Sequence, residues 1–126
     1  MNIKITTILM AFTLVFVSNS VFADSVIASY TCKLKEGKTT EQVQAINSKW
    51  LKWVNKNVNK DITTSVGTAI VGKQDMFLFV DTYPDLTVWA ETQTVLDTDA
   101  AIELKDIFEE VLTCSENRLW KIEATK

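Results

Sequence analysis

The chain contains no histidine, and its two cysteines, Cys32 and Cys114, stand far apart. Without His it lacks the commonest general base, the usual zinc ligand and the one side chain that titrates near neutrality unaided. Hydrolase triads, His-held metal sites and His-ligated haem are therefore set aside first. The cysteines show no CxxC spacing and no third or fourth ligand, so a structural disulfide is expected in preference to redox-active or metal-binding thiols. Such a bridge closes a loop of about 80 residues, which in the chain-entropy view destabilises the unfolded state by roughly 4–5 kcal/mol.

Asp81 is an unusual placement for an ionisable group, because it stands in M-F-L-F-V-D-T-Y, a run otherwise made of aromatic and aliphatic residues and one threonine. Buried without a partner, a carboxylate holds a raised pKa or carries a large cost. Two arrangements are open. The plainer is an ion pair with Arg118 or Lys121 of the last strand, or a strand-end position that reaches water. The sharper is a polar anchor in an apolar cavity. Tyr30, Phe77, Phe79, Asp81, Tyr83, Trp89 and Trp120 are the candidates for a pocket or a dimer face, and Trp50 and Trp53 add to the aromatic set. The same aromatics on core faces are ordinary for a domain of this size. Asp97, Thr98, Asp99 and Glu103 resemble a calcium loop only faintly, lacking its Gly and closing Glu, so helix capping is expected and no metal site is assigned.

With 47% hydrophobic and 23% charged residues among 126, the composition suits a globular chain and not a disordered one. Lys4, an apolar run from Ile5 to Val17 and the small-residue end Val21-Phe22-Ala23 read as a signal peptide, residues 1–23, cleaved before Asp24. The run is shorter than the ~20 residues that span a bilayer, so no stable membrane anchor is expected after cleavage. Residues 24–126 are expected to form one domain, exported to the periplasm or the medium, where a disulfide persists. With a net charge of −3 and Arg118 as the sole arginine, the chain has no basic stripe for nucleic acid.

The elements that must position these residues follow from periodicity. Val26 to Leu34 alternates as a first strand. Thr39, with Gln42 three residues on, opens a helix whose Val43, Ile46, Trp50, Trp53, Val54 and Val58 share one face. Ile62 to Val71 reads as a second strand, and a hairpin turn at Gly72–Asp75 leads into a third, Met76 to Tyr83. That strand sets Met76, Leu78 and Val80 on one face and Phe77, Phe79, Asp81 and Tyr83 on the other. Asp85 caps a second helix with Leu86, Trp89, Gln93 and Leu96 on one face. After a break at 97–99 a further helix carries Leu104, Phe108, Val111 and Leu112, and Asn117 to Ala124 is the last strand.

The order βαββαβ is that of the ferredoxin-like α+β fold, an antiparallel four-stranded sheet with helices on one face. The first and last strands are expected side by side in the sheet centre, where the end of one meets the start of the other and Cys32 meets Cys114. The open sheet face then offers an apolar patch that a two-fold homodimer would cover. The segments V-I-A-S-Y-T-C-K-L and F-V-D-T-Y-P-D-L-T-V-W-A-E-T-Q resemble the dimeric α/β-barrel superfamily, in its antibiotic-biosynthesis-monooxygenase-like branch. The closing C-S-E-N-R-L-W-K-I-E resembles small uncharacterised exported bacterial proteins. The resemblance implies two units with sheets face to face and, in active members, Asn, Trp and His groups between helices and sheet. Here the His is missing, Gln93 stands in the corresponding helix, and Asn55 and Trp89 are the Asn and Trp at hand. The expectation is therefore a non-enzymatic homodimer, without cofactor, that binds a small apolar ligand or a partner. A cofactor-independent monooxygenase and a structural interaction subunit are the alternatives.

Overall fold

A computed structural model describes residues 24–125, so the expected signal peptide lies outside the described residues. In the first strand, β1 (Val26–Leu34), Val26, Ala28 and Cys32 are buried on the same side as Tyr30, while Ile27, Ser29 and Thr31 alternate to the other side. A capping box follows. The Gln42 amide donates to Thr39 Oγ1 at 3.3 Å and the Thr39 amide donates to Gln42 Oε1 at 2.8 Å, which starts α1 (Thr40–Asn57). Val43, Ile46, Trp50 and Val54 form its buried stripe, and Asn47 is buried among them.

The strands β2 (Thr63–Thr68) and β3 (Met76–Tyr83) form an antiparallel pair. The second strand is shorter than the expected Ile62–Val71. Ile70 and Val71 instead sit in the connection 69–75, each 90% exposed, with Gly72 at φ 91 supplying the left-handed backbone of the turn. Asp85 Oδ1 accepts from the Val88 amide at 2.9 Å and caps α2 (Leu86–Leu96). A 3-10 turn, Asp99–Ala101, then leads to α3 (Ile102–Val111).

The last strand, β4 (Leu112–Lys121), begins directly where α3 ends, five positions before the expected Asn117. Leu112 belongs to this strand and not to the helix. The cause is the ladder to β1. The Lys35 amide donates to Val111 O at 2.9 Å, and Leu34, Lys33 and Cys32 stand opposite Leu112, Thr113 and Cys114. The disulfide Cys32–Cys114 closes this corner. A register shift between Thr31 and Cys32 makes room for one extra residue on β4.

The sheet order is β2-β3-β1-β4 with every neighbour antiparallel, the ferredoxin-like arrangement. β1 and β4 are adjacent as expected, but β4 is an edge strand; the central pair is β1 and β3, because each of those takes two partners. The helices cover the face that carries Phe77, Phe79, Asp81 and Tyr83. Ser29 and Thr31 with Leu78 and Val80 face the other way, and Trp120 stands opposite Ile27 on that same open face. Leu78 and Trp120 are each 45% exposed there.

Replacing both cysteines by alanine is expected to lower the unfolding free energy in urea by about 4 kcal/mol and to raise the m-value, because the unlinked unfolded chain expands. An unchanged midpoint and slope would show that the bridge contributes nothing.

Candidate functional site

Between the sheet and the helices lies a cavity of about 240 Å³. The sheet contributes Tyr30, Phe79 and Asp81 with the Cys32–Cys114 disulfide, and α1 contributes Asn47 and Trp50. Leu96, Leu104 and Phe108, from α2 and α3, close the far side, with the half-exposed Lys105 in the same wall. Apolar and aromatic side chains dominate, and one carboxylate interrupts them.

That carboxylate is Asp81, which is 5% exposed. Thr64, at the inward position of β2 opposite Asp81 on β3, brings its Oγ1 to 2.6 Å from Asp81 Oδ1 and to 3.2 Å from Asn47 Oδ1. One hydroxyl proton serves only one acceptor at a time. With Asp81 neutral, its own O–H donates to Thr64 and Thr64 donates to Asn47 Oδ1. With Asp81 ionised, Thr64 donates to the carboxylate and the Asn47 amide must present its nitrogen to Thr64. The Asp81–Thr64–Asn47 chain therefore has two polarities, and the proton on Asp81 selects between them.

Burial pushes the Asp81 carboxyl up to about 6, against the pull of the Thr64 hydrogen bond. The Trp50 indole N–H also favours the charged form, from a position outside hydrogen-bond geometry. Burial, and then the Asp81 charge, raises Tyr30 to about 12 and lifts Tyr83 as well. Both phenols stay protonated at neutral pH. Neither is a base, and the Tyr83 hydroxyl is buried with no hydrogen-bond partner.

The expected ion pair is not formed. Arg118 stands opposite Ser29 on the open face and pairs with Glu116 at 3.4 Å, while Lys121 reaches Asp24 at 3.1 Å and Glu123 at 2.8 Å. Alternation along β4 sends Arg118 away from the helices, so it cannot meet a residue that β3 sends towards them. Of the other candidates, Phe77 and Tyr83 are buried beside the cavity residues, and Trp89 packs half-buried against the core. Trp120 donates its indole N–H to Ser29 Oγ at 2.9 Å on the open face. Asn55 is occupied with backbone, donating to Lys60 O at 2.7 Å and Ile62 O at 3.2 Å. Asp97 caps α2 and lies 3.7 Å from Lys105, and no group of three potential metal ligands occurs among the described residues. Asn47 and Thr64 were not singled out by the sequence. Asn47 carried a signal, because it is the polar residue inside the stripe Val43, Ile46, Trp50 and Val54.

No known protein family and no curated protein sequence matches the chain. Solved structures do match its fold. SnoaB, a cofactor-independent oxygenase from Streptomyces nogalater, superposes with a TM-score of 0.63 at 10% identity, over 82% of this chain and 97% of that one. A dimeric protein of unknown function and ferredoxin-like fold from Bacteroides fragilis gives 0.53 at 13% identity, over 80% and 99%. The hydroxynitrile lyase of Passiflora edulis gives 0.56 at 12% identity, over 82% and 98%. The shared element is the fold.

Asp81 holds its proton more tightly in the folded chain, at about 6, than at its ordinary value of 3.8. The stability this contributes is complete below pH ~4 and lost as pH rises through 6. Asp81→Asn keeps an oxygen for Thr64 and is expected to gain on the wild type as pH rises, by on the order of 2–3 kcal/mol at pH 8. Urea unfolding at pH 4, 6 and 8 tests this; parallel pH profiles for the two proteins would refute it.

Proposed function

We propose that this protein binds a small apolar ligand in the cavity between its sheet and helices, as a homodimer paired through the open sheet face. The observation that carries the reading is the cavity itself, an aromatic-walled space of about 240 Å³ containing a single buried carboxylate. Apolar pockets with few convergent polar groups are the usual form of small-molecule sites. A cavity of roughly 150 Å³ accepts benzene, so this one suits a body of one or two rings.

The dimer is supported by the open face, where Leu78 and Trp120 are exposed beside Val80, and by the dimeric state of the Bacteroides fragilis protein of the same fold. An exported, oxidising location is supported by the Cys32–Cys114 bridge together with the signal-like residues 1–23.

One observation favours a second reading, a cofactor-independent oxygenase. A carboxylate with a proton affinity near neutrality, facing an apolar cavity, can take a proton from an acidic O–H or C–H of a bound aromatic, and a carbanion or phenolate so formed is the species that reacts with dioxygen. The likeness to SnoaB concerns the fold and lends this reading its scaffold. Oxygen uptake with a panel of quinols separates the two, since only the enzyme consumes oxygen and loses that activity on Asp81→Asn.

Calorimetric titration with 2-naphthol is expected to show binding that Leu96→Trp, which fills the cavity, abolishes while circular dichroism stays unchanged. Retained binding in the filled variant would place the ligand elsewhere. Leu78→Glu is expected to convert dimer to monomer in light scattering after gel filtration without loss of naphthol binding; a wild type that is monomeric at all concentrations would remove the dimer.

A further inference from the structure

We propose that the cavity takes an organic cation: a primary or secondary ammonium on a flat body of one or two rings, its N–H groups directed to Asp81. This rests on the cavity being a ligand site and names the chemistry it selects.

Buried charges in proteins are paired, because an isolated carboxylate loses far more hydration than hydrogen bonds alone return. Asp81 has no cationic partner among the described residues. The basic side chains that its strand order and neighbours offer are engaged elsewhere: Arg118 with Glu116, Lys121 with Asp24 and Glu123, Lys105 with Asp97. The groups facing Asp81 are Tyr83 from its own strand, Tyr30 from β1, Thr64 from β2, Asn47 and Trp50 from α1, and Lys105 from α3 across the cavity. The tyrosines are neutral donors, and Thr64, Asn47 and Trp50 do not titrate. Over the range pH 5 to 7.5 Asp81 is the group that acquires charge, and Lys105, the one cation among the others, is half-exposed, lies 3.7 Å from Asp97 and forms no ion pair with Asp81.

A ligand hydroxyl would add one hydrogen bond and leave that net charge buried. A ligand ammonium cancels it with charge-assisted bonds. Tyr30, Trp50, Phe79 and Phe108 around the same space suit a cation, since aromatic rings attract ammonium groups through their quadrupoles. Lys105 in the outer wall repels a second positive charge, so the far end of the ligand is neutral or acidic.

The test is calorimetry on the protein with 2-naphthylmethylamine, the isosteric 2-naphthylmethanol and 2-naphthoate, at pH 7.5 and pH 5.0, for wild type and Asp81→Asn. At pH 7.5 the amine is expected to bind about ten- to a hundredfold tighter than the alcohol. At pH 5.0, where Asp81 must first lose its proton, the amine should weaken by roughly tenfold and the alcohol should not change. Asp81→Asn should bring the amine down to the alcohol's affinity. An alcohol or naphthoate that binds as tightly as the amine, or an amine advantage that survives in Asp81→Asn, overturns the cation while leaving the cavity as a ligand site. If none of the three binds, the cavity reading falls and the cation with it.

Discussion

The period of two in β3 fixes most of what distinguishes this molecule. Phe77, Phe79 and Tyr83 are too large and apolar to leave in water, and they must therefore point under the helices. Asp81 has the same parity and is carried inward with them. Turning it outward would need a bulge in a strand that is paired on both sides, at the expense of ladder hydrogen bonds with β1 and β2. Three aromatic burials hold one carboxylate in an apolar place, and its raised proton affinity, its bond to Thr64 and the two-way chain through Asn47 all follow from that.

The second constraint is the pairing of β1 with both β3 and β4. It makes one wall of the cavity from a continuous ladder, with the Cys32–Cys114 bridge tying the edge strand to the centre. The opposite wall is of a different kind, built from side chains of α2 and α3 on either side of a 3-10 turn. The cavity thus lies between a backbone-bonded surface on one side and packed helices on the other. Positions in α2 and α3, such as Leu96 and Leu104, are therefore where cavity volume can change with little disturbance to the sheet.

Much of this was legible in the chain. The alternation of β3, the capping box at Thr39, the cap at Asp85 and the element order each have a local cause, and together they specify the ferredoxin-like sheet and bring Cys32 to Cys114. Two kinds of information were not local. The start of β4 is hidden in the sequence because Leu112 continues the helical spacing of Leu104 and Phe108, and only the ladder to Leu34 ends the helix one residue earlier. Opposite charge in the sequence points to β4 for the partner of Asp81, at Arg118 or Lys121. Strand parity turns Arg118, opposite Ser29, to the open face, Lys121 is held by Asp24 and Glu123, and Thr64 stands opposite Asp81, so the neutral residue is the one within reach. Asn47 was the clue in plain view, a polar group where the stripe of α1 called for an apolar one.

Parity also separates the two surfaces on which function can rest. Along β1, Ala28, Tyr30 and Cys32 face the helices while Ser29 and Thr31 face the open side; along β3, Phe79 and Asp81 oppose Leu78 and Val80 in the same way. No side chain belongs to both. Pairing of two copies through Leu78 and Trp120 would bury the open face without displacing any atom that lines the cavity, and a ligand against Asp81 would touch nothing in that interface. Any influence of one on the other has to pass through the backbones of β1 and β3, the two central strands, which hydrogen-bond to neighbours on both edges and yield least to a push from either face. The single-layer sheet thus acts as a partition between the open face and the cavity, and the two would be separable by substitutions on opposite parities of one strand pair.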